Sequence, residues 1–242
     1  MTPDELTYHF ERMRNFRREI QLAMYRMGMS AAYHIQYAQY MIDDEELIRR
    51  RTSVKDVAHF QKCLPDLIQR MEQVNDQANA SWEHAPQNRE AMREHYVQLV
   101  ELYDAVQLLP LAYERLSRQS EKPLLDDARA LQEFPRNAAE RIRLERILRL
   151  TIEDYLDIES QIDSLNRQID AEREAVVEGH RELIHAYVHE LGRHDEVSLA
   201  AARYAARVAT RMFDERRGFR FMPYAEVWID RELKRIGDPE ER

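Results

Sequence analysis

The stretch YLDIESQIDSLNRQIDAEREAV, Tyr155 to Val176, decides the fold class. Tyr155, Ile158, Ile162, Leu165, Ile169 and Val176 follow alternating steps of three and four, with Glu172 in the remaining seam position. On a helix these steps line one face, because about 3.6 residues complete a turn. A strand would alternate by two. About three heptads of such a seam fit a helical hairpin inside a domain at least as well as a free coiled-coil dimer. Leu183, Tyr187 and Leu191 extend a similar apolar face beyond Gly179.

The rest of the chain reads as further helices. Thr2-Pro3-Asp4-Glu5 is a helix start, with Thr2 and Glu5 forming a capping box and Pro3 in the first turn. This helix should run to about Met27 and end at Gly28. Ser30 can cap a second helix reaching toward Arg50. Ser53 with Asp56 opens a third, interrupted at Pro65. The polar stretch Asn75 to Asn88 reads as loop, and a further helix spans about Arg89 to Leu109 before Pro110. A short helix reaches Phe134, and Pro135 should start a long one. The polar run Arg118 to Pro123 is the best linker. The expected architecture is therefore an all-α, multi-helix protein. Residues 1–120 form an N-terminal helical domain of unassigned role, and 121–242 form a second domain with the long helix.

Composition agrees and excludes several classes. Among 242 residues only 5 are glycine, too few for the turns of an all-β protein. No two lie within ten residues of each other, so a glycine-rich nucleotide loop is absent. With 33% charged residues and no apolar run near the ~18 residues of a membrane span, no membrane association is expected. The N-terminus lacks the basic start and apolar stretch of a secretion signal. Cys63 is the single cysteine, so no intrachain disulfide and no cysteine-based zinc site can form. A cytoplasmic setting follows as the expectation, with Cys63 packed in a helical pattern.

Charge is uneven. Val197 to Ile236 carries nine basic against five acidic residues, although the whole chain has a net charge of -9. A basic end on an acidic body points to a polyanion partner.

Catalytic and metal-binding patterns are weak. His185 and His189 have i, i+4 spacing, but His189 and His194 are five apart across Gly192, so they cannot share a helix face. No metal, cofactor or catalytic residue is expected, and an enzyme is not indicated. The dense constellation lies from Phe213 to Arg231, with Phe213, Phe219, Phe221, Tyr224 and Trp228 interleaved with Arg216, Arg217 and Arg220. Gly218 breaks one helix and Pro223 restarts another. Tyr224, Trp228 and Arg231 fall at i, i+4 and i+7, giving one face two aromatic rings and a guanidinium. Such a face can stack unpaired bases while arginines hold phosphates. Some of these aromatics must be core, with Phe219 and Phe221 the expected members.

Phe213 to Ile229 resembles the second region of bacterial sigma factors of the sigma-70 type, where F-D-P-x-R-G-F-R-F-S-T-Y-A-x-W-W-I-R melts and reads the minus-ten promoter element. The match includes Phe213, Asp214, Arg217, Gly218, Phe219, Arg220, Phe221, Tyr224, Ala225, Trp228 and Ile229. A weaker likeness covers Glu178 to Ile184, and the whole resemblance spans about residues 172–236. It implies that Tyr224 stacks on a flipped adenine of the single-stranded non-template strand. Phe213 and Arg217 would form the pocket, and Trp228 half of an aromatic wedge. The implied DNA-binding set is Phe213, Arg216, Arg217, Arg220, Tyr224, Trp228 and Arg231. Promoter DNA is the implied partner, with RNA polymerase core a further one.

Departures bear on the polymerase. Val227 replaces the second wedge tryptophan, Met222-Pro223 replaces Ser-Thr, and Asp230 replaces an arginine. Val197 to Ala206 lacks the family's polar clamp-binding residues. With the sequence ending at Arg242, the family's region that reads the minus-35 element is expected to be absent. Three readings follow: a divergent sigma-like transcription factor, a sigma-derived adaptor or regulator that no longer initiates transcription, and a plain helical scaffold. Exposure of Tyr224 and Trp228 favours the first.

Overall fold

Thr2 and Glu5 close the chain's first helix with reciprocal bonds. The Thr2 N–H donates to Glu5 Oε2 at 2.7 Å, and the Glu5 N–H to Thr2 Oγ1 at 3.2 Å. The computed structural model describes residues 1–84, 89–108, 124–214 and 218–237. These residues are all-α, with no strand among them and only an isolated bridge between Thr52 and Leu108. The helices are α1 (Pro3–Tyr25), α2 (Met29–Ile42), α3 (Glu45–Arg51), α4 (Val57–His84) and α5 (Arg89–Val106). There follow α6 (described over 124–131), α7 (Ala139–Leu148), α8 (Ile152–Gly179), α9 (Arg181–Glu190), α10 (Glu196–Ala209) and α11 (Phe221–Ile236). Among the described residues, no helix is long and apolar enough to cross a membrane.

Several boundaries differ from expectation. Ser30 does not cap α2; its buried hydroxyl donates to the Met24 carbonyl at 2.6 Å. The second helix ends at Ile42, and Asp44 caps α3 by accepting from the Leu47 N–H. Asp56 accepts from the His59 N–H at the head of α4. Pro65 lies inside α4 rather than interrupting it. Burial of Phe60, Leu64, Ile68 and Met71 along one face offsets the lost backbone bond. The same helix runs through residues 75–84, so the expected loop is helical there. Pro135 precedes a turn, and the next helix begins at Ala139. Pro110 and the linker Arg118 to Pro123 lie outside the described residues.

The chain divides into two compact units: residues 1–17 with 164–242, and residues 18–163. These units are cut differently from the segments 1–120 and 121–242. In the unit of residues 18–163, α2, α3 and α5 pack against α4. Met41, Ile48, Leu64, Met71 and Tyr103 are essentially inaccessible there. Burying such side chains contributes about 1.5–3 kcal/mol each.

In the other unit, α9, α10 and α11 pack together, α10 on α11 most extensively. The first turns of α1 belong to this unit. The Met1 ammonium donates to the Gly179 carbonyl at 3.1 Å, and Phe10 and Met13 are buried. The α8 seam positions of this unit, Leu165, Ile169, Glu172 and Val176, are buried, as Tyr155, Ile158 and Ile162 are in the unit of residues 18–163. Glu172 accepts from His9 Nδ1 at 2.5 Å and pairs with Arg12 Nε at 3.1 Å, so the polar break in the seam is satisfied by α1. The apolar face of α9 is Ile184 and Val188; Leu183 and Leu191 are exposed, contrary to expectation. A one-residue shift turns a side chain by about 100° around a helix, which suffices to move it from core to solvent.

Candidate nucleic-acid interface

The candidate site is built on the second of two helices joined through residues 210–220. Asp195 starts α10 by accepting from the Ser198 N–H at 2.9 Å, and the helix ends at Ala209. Gly218 has φ +73°, a left-handed conformation that glycine adopts without a Cβ clash. The chain then enters α11 at Phe221, with Pro223 in its first turn.

Three phenylalanines anchor this corner. Phe213 is buried, its ring centroid 5.2 Å from Phe10 and 5.4 Å from Phe221. Phe221 is fully buried and also lies 5.0 Å from the His180 imidazole. His180 Nδ1 donates to the Val176 carbonyl at 2.8 Å, and burial holds its pKa below the ordinary histidine value. The expectation for Phe221 as core is met. Phe219 is not core: it is 67% exposed beside Gly218.

From this anchor a run of rings leads outward along α11. Tyr224 lies 5.4 Å from Phe213, Trp228 lies 6.5 Å from Tyr224, and the Arg231 guanidinium sits 5.7 Å from the Trp228 ring centroid. Tyr224 and Trp228 are half-buried, while Arg220 and Arg231 are exposed. The i, i+4, i+7 spacing has thus produced a chain of tilted ring contacts, at interplanar angles of 54° and 51°, with Phe213 packed against Tyr224. The Arg231 cation adds an attraction of about 0.5–1 kcal/mol to the Trp228 ring. Arg216 and Arg217 lie outside the described residues.

The basic excess is only partly available. Arg203 pairs with Glu178 and Arg207 with Asp170, each at 3.3 Å, and Arg235 pairs with Glu232 at 2.6 Å. Arg211, Arg220, Arg231 and Lys234 make no ion pair among the described residues and are exposed. Asp230 has a local partner: it accepts from the Tyr187 hydroxyl at 2.8 Å, joining α11 to α9. Burial, together with that bond, pushes the Tyr187 phenol up to about 12.

The histidines take other roles. Gly192, at φ +74°, returns the chain after α9, so the His189 and His194 rings meet at 4.6 Å although they share no helix face. No group of three potential metal ligands is present among the described residues. Sequence reasoning did not identify Phe10, which completes the aromatic anchor. Its apolar position in an amphipathic helix carries no signal of a partner at Phe213. No protein-family model matches this chain, and no curated protein matches it in sequence.

Proposed function

We propose that the protein is a divergent sigma-like transcription factor that binds single-stranded promoter DNA of the minus-ten type through α11. The observation that supports this reading is the continuous run of contacts Phe213–Tyr224–Trp228–Arg231, which begins in the core and ends at the surface. A flipped base needs an aromatic platform held from behind and cations for the flanking phosphates. Tyr224 and Trp228 supply platforms; Arg220 and Arg231 supply cations, with Arg216 and Arg217 between the same two helices in sequence. The function is binding and strand capture in a cytoplasmic transcription setting and includes no catalytic step.

Fluorescence anisotropy with a labelled T-A-T-A-A-T single strand tests it. Binding should be strongest at low salt and weaken steeply as salt rises. Tyr224→Ala should reduce affinity by about tenfold or more, the scale of one lost stacking contact. Arg217→Ala should weaken binding too. Absence of binding at low salt, or unchanged binding by both variants, would rule out the reading.

One observation favours the second reading, a sigma-derived adaptor. Val197 and Tyr204 are 53% and 61% exposed on α10, the helix that in sigma factors carries polar clamp-binding residues. Exposed apolar groups there suit a protein partner other than the polymerase clamp. Co-purification of RNA polymerase core from the host supports initiation; its absence alongside another stoichiometric protein supports the adaptor.

A further inference from the structure

Within residues 18–163 lies a cleft of about 1060 Å³, separate from the candidate DNA site and independent of the reading given to it. The end of α1, helices α4 and α5, and the α7–α8 turn supply its walls. Its size is at the upper end of ligand pockets, about 300–1,000 Å³, and a bare inorganic anion would leave most of it unfilled.

Charge is the distinctive property. Arg141 is buried and internally satisfied: it pairs with Glu145 at 3.1 Å and with both Glu153 oxygens at 2.5 and 2.7 Å, and donates to the Gln132 and Phe134 carbonyls. That arrangement occupies Glu145 and Glu153, two of the three carboxylates lining the cleft; the third is Asp154. Four further arginines line it. Arg26, Arg93 and Arg136 are exposed and form no ion pair among the described residues. Arg149 is only 6% exposed and has no carboxylate partner among them. Its Nη2 donates to the Gly28 carbonyl at 2.6 Å, and its buried Nη1 makes no hydrogen bond. A buried guanidinium without a counter-charge is costly, and a bound polyanion would supply one.

The remaining lining is aliphatic and aromatic, with Ala78, Met92, Val97 and Leu99 among the aliphatic members. Trp82, Tyr25, His95 and Tyr96 border the same space. The Tyr96 hydroxyl donates to the Leu22 carbonyl at 3.1 Å, and His95 Nε2 contacts Ser81 Oγ at 2.9 Å, so both rings are fixed. His95 Nδ1 is buried and makes no hydrogen bond.

We propose that this cleft binds a nucleoside polyphosphate, with Arg26, Arg93, Arg136 and Arg149 directed to the phosphates and Trp82 and Tyr96 to the base. Four guanidinium groups exceed what one carboxylate ligand neutralises, and their forked geometry matches phosphate oxygens. Flat rings match a base. No glycine-rich loop is needed, because guanidinium groups rather than backbone amides face the phosphates.

Trp82 and Trp228 are the two tryptophans, so the full-length Trp228→Phe protein reports on the cleft through Trp82 alone. Its emission should change on addition of at least one of ATP, GTP, CTP or UTP, with calorimetry on the unmodified chain giving the same affinity. Inorganic triphosphate alone and the corresponding nucleoside alone should each bind at least about tenfold more weakly. Arg93→Ala and Arg136→Ala, both at exposed positions, should each weaken the nucleotide about tenfold. Arg149→Met, checked for folding by circular dichroism, should weaken it at least as much. The proposal is overturned if none of the four nucleotides binds the folded protein at about 1 mM. Equal binding of inorganic triphosphate, or affinity unchanged in both Arg93→Ala and Arg136→Ala, overturns it as well.

Discussion

The Phe10 ring, in the first helix of the chain, lies 5.2 Å from Phe213, at the head of the motif that carries the candidate DNA site. Both are buried, and Phe213 in turn contacts Tyr224 at 5.4 Å. The orientation of a residue proposed to stack on DNA therefore rests partly on a side chain near the N-terminus.

Phe10→Ala should destabilise the unit of residues 1–17 and 164–242 by about 3–5 kcal/mol, the range for a large aromatic removed from a packed core. Chemical denaturation measures the loss. At a temperature where the variant is still folded, affinity for the labelled single strand should also fall, because Phe213 loses its backing. Phe10→Leu, which retains most of the volume, should recover most of both losses.

Phe219 and Phe221 lie two residues apart and have opposite environments, 67% and 1% exposed. Phe221→Ala should cost about 3–5 kcal/mol. Phe219→Ser should change stability by no more than about 0.5 kcal/mol. Denaturation midpoints of the two variants, measured side by side, check the contrast; equal losses would contradict the assigned environments.

Gly28 is constrained by close approach rather than by its backbone angles. A Cβ there would meet Arg149 Nε at 2.6 Å and the Ile147 carbonyl oxygen at 2.8 Å. Gly28→Ala should therefore destabilise by about 1–3 kcal/mol, the usual range for overpacking. Adding Arg149→Met should restore only part of this, because the backbone carbonyl remains. Thermal unfolding of the single and double variants tests both statements.

His34 gives the fold a pH dependence. Its ring is fully buried, stacked 4.1 Å from Tyr103, and Nδ1 donates to the Ser30 carbonyl at 2.7 Å. Burial pushes its pKa down from 6.5 to about 4. The unfolded chain therefore takes up a proton in a range where the folded protein does not. The stability from this group is complete above about pH 6.5 and is lost as pH falls toward 4, on the order of 3 kcal/mol in total. Urea unfolding at several pH values should show this decline, and His34→Leu should flatten it.

Much of the architecture was legible because helices are local. The capping box at Thr2 and Glu5 formed as read, and every seam position from Tyr155 to Val176 is buried. Pro65 misled because its local cost is outweighed by packing from Phe60 to Met71, which local propensity does not contain. The expected loop after Asn75 failed for a related reason: polar composition is compatible with helix wherever one face still packs. At the candidate site, the spacing of Tyr224, Trp228 and Arg231 sufficed to place them in one run of side-chain contacts, whereas the exposure of Phe219 was not readable.

By itself, then, the amino-acid order determined that this is a helical protein and which side chains share the outward face of α11, because both follow from a repeat of about 3.6 residues. Only the tertiary structure decided that Phe10 backs Phe213, that Glu172 is satisfied by His9 and Arg12, and that four arginines from distant segments line one cleft. These depend on which helix faces meet, and the free energy of burial and ion pairing acts between atoms close in space, whatever their separation along the chain.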